Sequence, residues 1–390
     1  MNRIVAKGTS IQQSIIVTGS LRTLQIESAV DGSVIRIGGT TTDQMNLYAR
    51  GMIGTGTGGE GVDLEFPGLV RSLVARGWHG GCWKVGSVGK VQIKNGDFSP
   101  RVDIAGAFND IQIRRGDFLS PEFKSGTADT NNDGDAMNDG DGDGMRIRVK
   151  RGTINSPSIE LDGSLGLIQG SSINANINVK GQIKLIRQTD RSEAAFLEGN
   201  FTAQRFGRIE GFGGNAQFDL IANATAETLQ RKSAVDSIRL VGANWTGGRI
   251  ETQPNTWVNR IKVKARGHKS IGGEIQGDIN LIGGSLVRLN AGDILQDFTI
   301  ETGDLKRGNI GRILGGRFHI GGDVLGKLTT ISKADPDDDG LDDGVLKLLN
   351  PLYAFSGLVD PSLPTGILQI DNLTDKRKVR TDFVPPLDFF

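Results

Sequence analysis

Two segments of the chain repeat the same register of residues, one beginning at Val91 and the other at Ile111. They read Val91-Gln-Ile-Lys-Asn-Gly-Asp-Phe98 and Ile111-Gln-Ile-Arg-Arg-Gly-Asp-Phe118, which gives the repeat frame apolar-x-apolar-x-x-Gly-Asp-apolar. The repeat frame returns at residues 147–154, 287–294 and 298–305, and looser relatives lie at 177–183 and 318–324. The triplet Gly-Asp-apolar recurs more often than the roughly two occurrences expected by chance from this composition. Its glycines are Gly96, Gly116, Gly277, Gly292, Gly303 and Gly322.

The repeat frame predicts a strand, a corner and then another inward-facing residue. Val91 and Ile93 share one strand face because side chains alternate along a strand. Phe98 lies an odd number of residues after Ile93, so an unbroken strand would turn it outward. A corner at Asn95-Gly96, with the glycine in a left-handed conformation, would turn Phe98 inward again. Strands and corners repeated about every 20 residues predict an all-β fold, the parallel β-helix or β-solenoid.

An antiparallel β-sandwich is the alternative fold, since Asn95-Gly96 is also a typical hairpin turn. The 57 glycines, about twice the average usage, suit either fold because both contain many tight turns. The 20-residue match favours the solenoid, because it preserves a whole register rather than only a turn. The short offset between the copies at 287–294 and 298–305 fits two corners within one turn. Outside the repeat frames, residues 222–232 and 345–349 are predicted to form short helices.

Acidic residues are concentrated in two short runs. The first contains Asp129-Thr-Asn-Asn-Asp-Gly-Asp135 and Asp139-Gly-Asp-Gly-Asp-Gly144, and the second is Asp335-Pro-Asp-Asp-Asp-Gly-Leu-Asp-Asp-Gly344. Oxygen ligands at alternate positions, followed by a glycine that permits a sharp turn, are what Ca²⁺ requires. The predicted calcium ligands are Asp129, Asn131, Asp133, Asp135, Asp139, Asp141, Asp143, Asp335, Asp337, Asp339 and Asp343.

The acidic runs are not complete EF-hand loops, because Gly140 stands where the first loop requires a bidentate glutamate. The pattern Asp-x-Asn/Asp-x-Asp-Gly-x-x-x-x-Asp more closely resembles thrombospondin type 3 repeats in their cysteine-free bacterial form. This resemblance covers under a tenth of the chain. It implies carboxylates wrapped around Ca²⁺ in stiffened loops of secreted or surface proteins. A solvated acidic loop that binds no ion is the alternative interpretation.

The spacing of the repeat frames indicates that the first acidic run is an insertion, since Ile111 and Ile147 are 36 residues apart whereas Val91 and Ile111 are 20 apart. The predicted domain organisation is a β-solenoid over residues 1–350, interrupted at about 126–145 and 334–344, and a C-terminal cap or tail over 351–390. Phenylalanines of the tail are expected to cover the end of the core, as terminal caps do in stacked folds.

The charge balance argues against several classes of partner. Lys plus Arg and Asp plus Glu number 45 each, so the net charge is zero. Since the acid is concentrated in two runs, the rest of the surface is mildly basic. We expect a solvated mixed surface and no nucleic-acid binding, because no dense Lys/Arg tract with interleaved aromatics occurs. No apolar run is long enough to span a membrane as a helix.

Cys82 is the single cysteine, so no disulfide can form within the chain. It lies in the densest aromatic segment, Trp78-His-Gly-Gly-Cys-Trp83. A packed corner is the favoured interpretation of this segment, and a ligand-binding patch is the alternative.

The favoured function is a non-catalytic, calcium-binding structural or adhesive segment of a secreted or cell-surface repeat protein. Its expected location is extracellular, and its expected partners are cell-surface or matrix components or polysaccharide. The first residues do not form a recognisable signal peptide, so the protein is expected to be either cytoplasmic or a processed or partial chain. The second alternative is favoured because the sequence begins directly in a strand-like pattern. One alternative is a carbohydrate-active β-helix enzyme, a polysaccharide lyase or glycosidase, with Asp103, Asp110 and Asp117 as candidate carboxylates. Another is a scaffold protein that associates with itself end to end.

Overall fold

The structure is a computed structural model. It describes residues 2–55, 60–126, 145–229, 231–266, 273–313, 317–331, 345–349, 365–371 and 379–381. Regular structure in these residues is entirely β-strand, and the strands form a parallel β-solenoid of about 14 turns. The predicted all-β solenoid is therefore confirmed. The antiparallel sandwich is wrong, since the pairings between the described strands are parallel.

The strands are numbered in chain order. Their bounds are β1 Arg3–Ile11, β2 Ser14–Val17, β3 Thr23–Ala29, β4 Val34–Ile37, β5 Gln44–Ala49, β6 Met52–Ile53, β7 Asp63–Ala75, β8 Gly77–Trp78, β9 Cys82–Ile93, β10 Arg101–Ile104, β11 Phe108–Ile113, β12 Phe123–Ser125, β13 Met145–Val149, β14 Thr153–Leu161, β15 Leu165–Gly170, β16 Ser172–Val179, β17 Gln182–Gln188, β18 Phe196–Ala203, β19 Arg205–Gly211, β20 Gly214–Ala222, β21 Ser233–Val241, β22 Ala243–Thr252, β23 Trp257–Val258, β24 Ile261–Lys264, β25 Ile279–Ile282, β26 Ser285–Ala291, β27 Phe298–Ile300, β28 Leu305–Arg312, β29 Arg317–Ile320, β30 Val324–Ile331, β31 Val345–Leu349, β32 Thr365–Ile370 and β33 Val379–Thr381.

The chain divides into two compact units. The first unit, here called unit 1, comprises Met1–Asp190 and Glu198–Gln204. The second, unit 2, comprises Arg191–Leu197 and Arg205–Phe390. Each unit is built from stacked turns of parallel strands, and the turn formed by residues 101–118 of unit 1 is described first. In some other turns the third side is a short paired strand, as where residues 153–156 pair with 172–175.

One turn has two walls and a narrow third side. In the turn formed by residues 101–118, β10 lies in the first wall and β11 lies in the second wall. The third side is a single inward residue, Phe118, which bridges Phe98 of the preceding turn. We call residues 105–107, between the walls, the first corner of this turn. Residues 114–117, after the second wall, form its second corner.

The register predicted from the repeat frame is confirmed. Val91 pairs with Ile111, and Ile93 pairs with Ile113, in the second wall. In the next turn Ile111 pairs with Ile147. All five side chains are at most 1% exposed. The alternation of apolar and polar residues in these strands therefore places the apolar set in the core and the polar set on the outer face.

Aromatic rings form a column inside unit 1. The Phe98 ring centroid lies 5.1 Å from that of Trp83 and 5.6 Å from that of Phe118. Trp83 and Trp78 meet edge to face, with their centroids 4.8 Å apart. All four side chains are 0% exposed. Because such rings bury on the order of 150–250 Å² each, the column contributes a large share of the apolar burial here.

The prediction of a left-handed glycine at position 96 is wrong. The φ angle of Gly96 lies outside the left-handed region, whereas Gly116, one turn later, has a φ of +121°. At Gly96 successive turns approach closely, since a Cβ there would lie 2.9 Å from Met52 Cε and 3.1 Å from Gly77 Cα. The close approach of successive turns therefore favours glycine at position 96, whereas at Gly116 a left-handed φ requires it as well.

The aspartate of the repeat frame joins successive turns. The Oδ1 atom of Asp97 accepts a hydrogen bond of 2.8 Å from the backbone N–H of Asp117. Asp117 Oδ1 accepts one of 2.6 Å from the N–H of Thr153. In unit 2, Asp304 Oδ1 accepts one of 2.8 Å from the N–H of Asp323. The recurrent Gly-Asp pair thus satisfies backbone donors at corners, where ladder pairing lapses.

The two copies of the repeat frame in unit 2 lie at different corners. The copy at 298–305 begins in β27 and ends at the start of β28, and it therefore forms a first corner. The copy at 287–294 ends at Ile294, which bridges Ile275 on the third side, and it therefore forms a second corner. The short offset between the two copies predicted this arrangement.

Neither predicted helix forms. Ala222 is the last residue of β20 and pairs with Thr252, and the N–H of Thr228 then bonds the carbonyl of Thr225 in a turn. Residues 345–349 form β31, which pairs with β32 along its whole length. A segment as short as 345–349 is compatible with either a helix or a strand, because five residues are too few to show a periodicity. In the structure, backbone pairing with β32 makes it a strand.

Candidate functional site

All eleven predicted calcium ligands lie outside the described residues, in the segments 127–144 and 332–344. The described residues that flank the first segment are the end of β12 and the start of β13. Those residues show where the acidic segment leaves the solenoid and where it returns. Among the residues that the structure does describe, no group of three or more His, Cys, Asp or Glu is placed to hold a metal ion.

The described residues on either side of the acidic segment 127–144 lie at a first corner of unit 1. Ser125 pairs with Ile104 in the turn below and with Leu161 in the turn above. Its Oγ donates a hydrogen bond of 3.0 Å to the carbonyl of Gly106 and lies 3.5 Å from Met145 Sδ. The two ends of the segment are therefore neighbours, and the ladders continue past both of them.

The Trp78–Trp83 segment is a packed corner, as the sequence favoured. Both indoles are buried, and Trp78 Nε1 donates a hydrogen bond of 3.2 Å to the carbonyl of Val62. The backbone N–H of Cys82 donates to Asp63 Oδ1 at 2.7 Å. Burial raises the pKa of the Cys82 thiol, and the Asp63 carboxylate raises that pKa further. At neutral pH this thiol is therefore predominantly protonated and a poor nucleophile.

The three carboxylates considered for glycoside chemistry lie in different parts of one turn. Asp103 is exposed on β10 in the first wall. Asp110 is on β11 in the second wall, where its Oδ2 accepts a hydrogen bond of 3.0 Å from Arg148. Asp117 is at the second corner, where its carboxylate accepts a hydrogen bond from the backbone N–H of Thr153. The fold does not bring them together in one cleft, and two of them have structural partners.

Basic side chains gather at the second corner of unit 1. In each of three successive turns the second-wall strand ends in an inward apolar residue and is followed by two corner residues. Five of these six corner residues are cationic, and together they line a cleft of about 400 Å³. We call this group the corner cluster; its cations are Lys94, Arg114, Arg115, Lys150 and Arg151.

A second group of basic side chains lies on the outer face of the second wall of unit 2. It spans the consecutive strands β24, β26, β28 and β30, which contain no aspartate or glutamate. These side chains line a cleft of about 440 Å³. We call this group the face cluster; its cations are Arg260, Lys262, Arg288, Arg307 and Lys327.

The cations of both clusters have no ion-pair partner among the residues that the structure describes. None of the ten side chains forms an ion pair or a side-chain hydrogen bond with another described residue. Elsewhere the described cations do pair, as Arg205 does with Asp236 at 2.7 Å. Like charges in neighbouring strands destabilise a sheet by on the order of a few tenths of a kcal/mol per pair. A bound polyanion would convert this repulsion into attraction.

Sequence reasoning missed both clusters because their members are far apart in the chain. Arg288, Arg307 and Lys327 occupy equivalent positions of three turns, with about a turn of sequence between them. A scan for dense Lys/Arg tracts therefore finds nothing. The corner cluster could have been found by comparing equivalent positions of the repeat frame. In three copies of the frame the residue two places before the glycine is basic, and these residues are Lys94, Arg114 and Lys150.

Comparisons of the chain with family models, with curated proteins and with solved structures give no match. In the part of the chain that the structure describes, no helix is long and apolar enough to cross a membrane. The chain's own residues therefore carry the functional assignment.

Proposed function

We propose that this chain is a non-catalytic structural or adhesive module of a secreted or cell-surface protein. Its parallel β-solenoid holds an acidic, calcium-binding segment at one corner. The observation that carries this proposal is the attachment of residues 127–144. The flanking side chains Ser125 and Met145 lie 3.5 Å apart. The strands β12 and β13 both pair in parallel with strands of the next turn, with one register shift between Met145 and Arg146.

This attachment supports a role for the segment that is separate from folding of the walls. Carboxylates crowded into a short segment repel one another, and a cation with many oxygen ligands relieves that repulsion. Ca²⁺ suits the acidic runs because it accepts six to eight flexible oxygen ligands. The resemblance of these runs to thrombospondin type 3 repeats supports the same ion and an extracellular setting.

Calorimetric titration of the full chain with CaCl₂ tests the calcium proposal, together with thermal melts in Ca²⁺ and in EDTA. We expect saturable binding of at least two ions. The melting temperature should be higher in Ca²⁺, because an ion that binds only the folded state adds RT ln(1 + [L]/Kd) to its stability. Absence of both heat and thermal shift would contradict the proposal.

A matched pair of variants assigns the heat to the first acidic segment. Asp129→Asn, Asp133→Asn and Asp135→Asn together should remove at least one ion from the stoichiometry. The control replaces three exposed acids elsewhere, by Asp103→Asn, Glu193→Gln and Glu227→Gln, and should bind as the wild type does. If both variants lost the same number of bound ions, Ca²⁺ binding would depend only on the net charge of the chain.

A further inference from the structure

We propose that the face cluster of unit 2 binds a linear acidic polysaccharide that carries a carboxylate on each sugar. This inference names a partner class for the adhesive module proposed above and rests on that function. It concerns the outer face of the second wall of unit 2, however, and it does not require calcium.

Four cations of the face cluster form a row across four turns, one on each strand or directly before it. Arg288 pairs with Arg307, and Arg307 pairs with Lys327, in the parallel register of β26, β28 and β30. Arg260 immediately precedes Ile261, which pairs with Leu289, so Arg260 occupies the step before Arg288. Neighbouring strands lie about 4.8 Å apart, and the row therefore extends on the order of 14 Å. A single extended polymer matches such a row better than a compact anion does.

A second row, mostly neutral and polar, runs beside the cations. Lys262 pairs with Asn290, Asn290 with Asn309, and Asn309 with Thr329. These residues lie two positions further along each strand and therefore on the same outer face. Amide and hydroxyl groups both donate and accept hydrogen bonds, which suits the hydroxyls of a sugar. The face thus offers one row for carboxylates and an adjacent row for hydroxyl groups.

The composition of the cation row favours carboxylates as its ligands. Three of the four members are arginines, whose planar guanidinium groups bind carboxylates in a bidentate manner. Arg260, Arg288, Arg307 and Lys327 are all exposed, so an incoming polymer meets no barrier. None of them would have to give up an ion pair within the described part of the chain.

Nucleic acid fits this surface less well. Proteins that bind single strands stack successive bases on exposed aromatic side chains. Among the described residues, Tyr48 of unit 1 is the one aromatic side chain in the group of exposed large hydrophobics. The face cluster itself contains no aromatic residue. An acidic peptide would use the cation row but would leave the amide row without hydroxyl partners.

The binding test uses labelled oligogalacturonate and the full chain in EDTA, with fluorescence anisotropy at low and high NaCl. EDTA keeps calcium out, so a failure here is distinct from a failure of the calcium proposal. We expect saturable binding that weakens steeply with salt. Poly-glutamate, which has the same charge without hydroxyls, and single-stranded and duplex DNA should bind more weakly.

Two triple variants locate the site. Arg260→Gln, Arg288→Gln and Arg307→Gln together should weaken binding about tenfold, as expected for the loss of three exposed ion pairs. The control removes three exposed cations from scattered positions, by Lys7→Gln, Lys84→Gln and Arg231→Gln, and should change affinity by less than about twofold. Circular dichroism and thermal melts establish that both variants are folded.

A double variant tests the second row. Asn290→Ala with Asn309→Ala should weaken oligogalacturonate binding and leave poly-glutamate binding unchanged. Four outcomes would overturn the proposal: no binding of oligogalacturonate by the wild type, equal losses in the two triple variants, tighter binding of DNA, or poly-glutamate binding as tight as that of the sugar polymer.

Discussion

At the scale of single residues, the Gly-Asp pair of the repeat frame explains how successive turns are joined. The aspartate accepts the backbone N–H of the next turn, and the glycine lets that turn approach closely. Gly116 meets both demands of its position, because its φ is +121° and a Cβ there would lie 2.2 Å from the carbonyl oxygen of Gly96. That oxygen belongs to the backbone and cannot rotate away.

Gly116→Ala should therefore destabilise the fold strongly, by about 2–4 kcal/mol, through backbone strain and overlap between turns. Urea unfolding followed by circular dichroism measures the change. Gly19→Ala is the matched control, because Gly19 has no atom within 4 Å of its Cβ position and no left-handed φ. Equal midpoints for the two variants would refute the stacking explanation.

At the scale of elements, the third side of the turns around Phe98 depends on side chains more than on extended backbone pairing. Phe98 and Phe118 meet through isolated bridges, whereas β7 and β9 pair over many residues. Packing of the buried rings in the aromatic column supplies the stabilisation that the short backbone contact between Phe98 and Phe118 cannot provide. Phe98 is central to it, since its ring touches both Trp83 and Phe118.

Phe98→Ala should cost about 3–5 kcal/mol, because it removes a fully buried ring and leaves a cavity between two aromatic neighbours. Tyr48→Ala is the control: it also removes an aromatic ring, but Tyr48 is 37% exposed. Its cost should be below about 1.5 kcal/mol. Thermal melts of both variants measure the difference. A Phe98 variant that melted with the Tyr48 variant would contradict the role assigned to the column.

At the scale of the whole molecule, the fold class and much of the register could be predicted from sequence, because alternation and corner spacing leave few other solutions. The 20-residue offset between Val91 and Ile111 held without change. The reason for glycine at position 96 could not be predicted, since it depends on Met52 and Gly77 of another turn. The face cluster was missed for a related reason: register, not sequence proximity, brings its cations together.

The same independence of wall and insertion predicts that the first acidic segment can be replaced. Substituting Gly-Ser for residues 127–144 leaves three residues between Ser125 and Met145. This matches the three residues, 162–164, that separate Leu161 from Leu165 in the next turn. The melting temperature in EDTA should stay within the few degrees that about 1 kcal/mol produces.

The control for this replacement deletes residues 126–144 without a linker. Joining Ser125 directly to Met145 would force β12 or β13 out of register, so this variant should melt well below the wild type. If the melting temperature of the Gly-Ser variant fell as far as that of the deletion variant, the acidic segment would itself contribute to the stability of the walls.

The in-register stacking of unit 2 also makes the cation row a ruler. Each added turn with an arginine or lysine at the equivalent position would lengthen the row by one step of about 4.8 Å. Neither the spacing nor the direction of the existing steps would change. Duplication of a single turn, a modest event in a gene, would thus select for a longer polymer without any redesign of the surface that reads it.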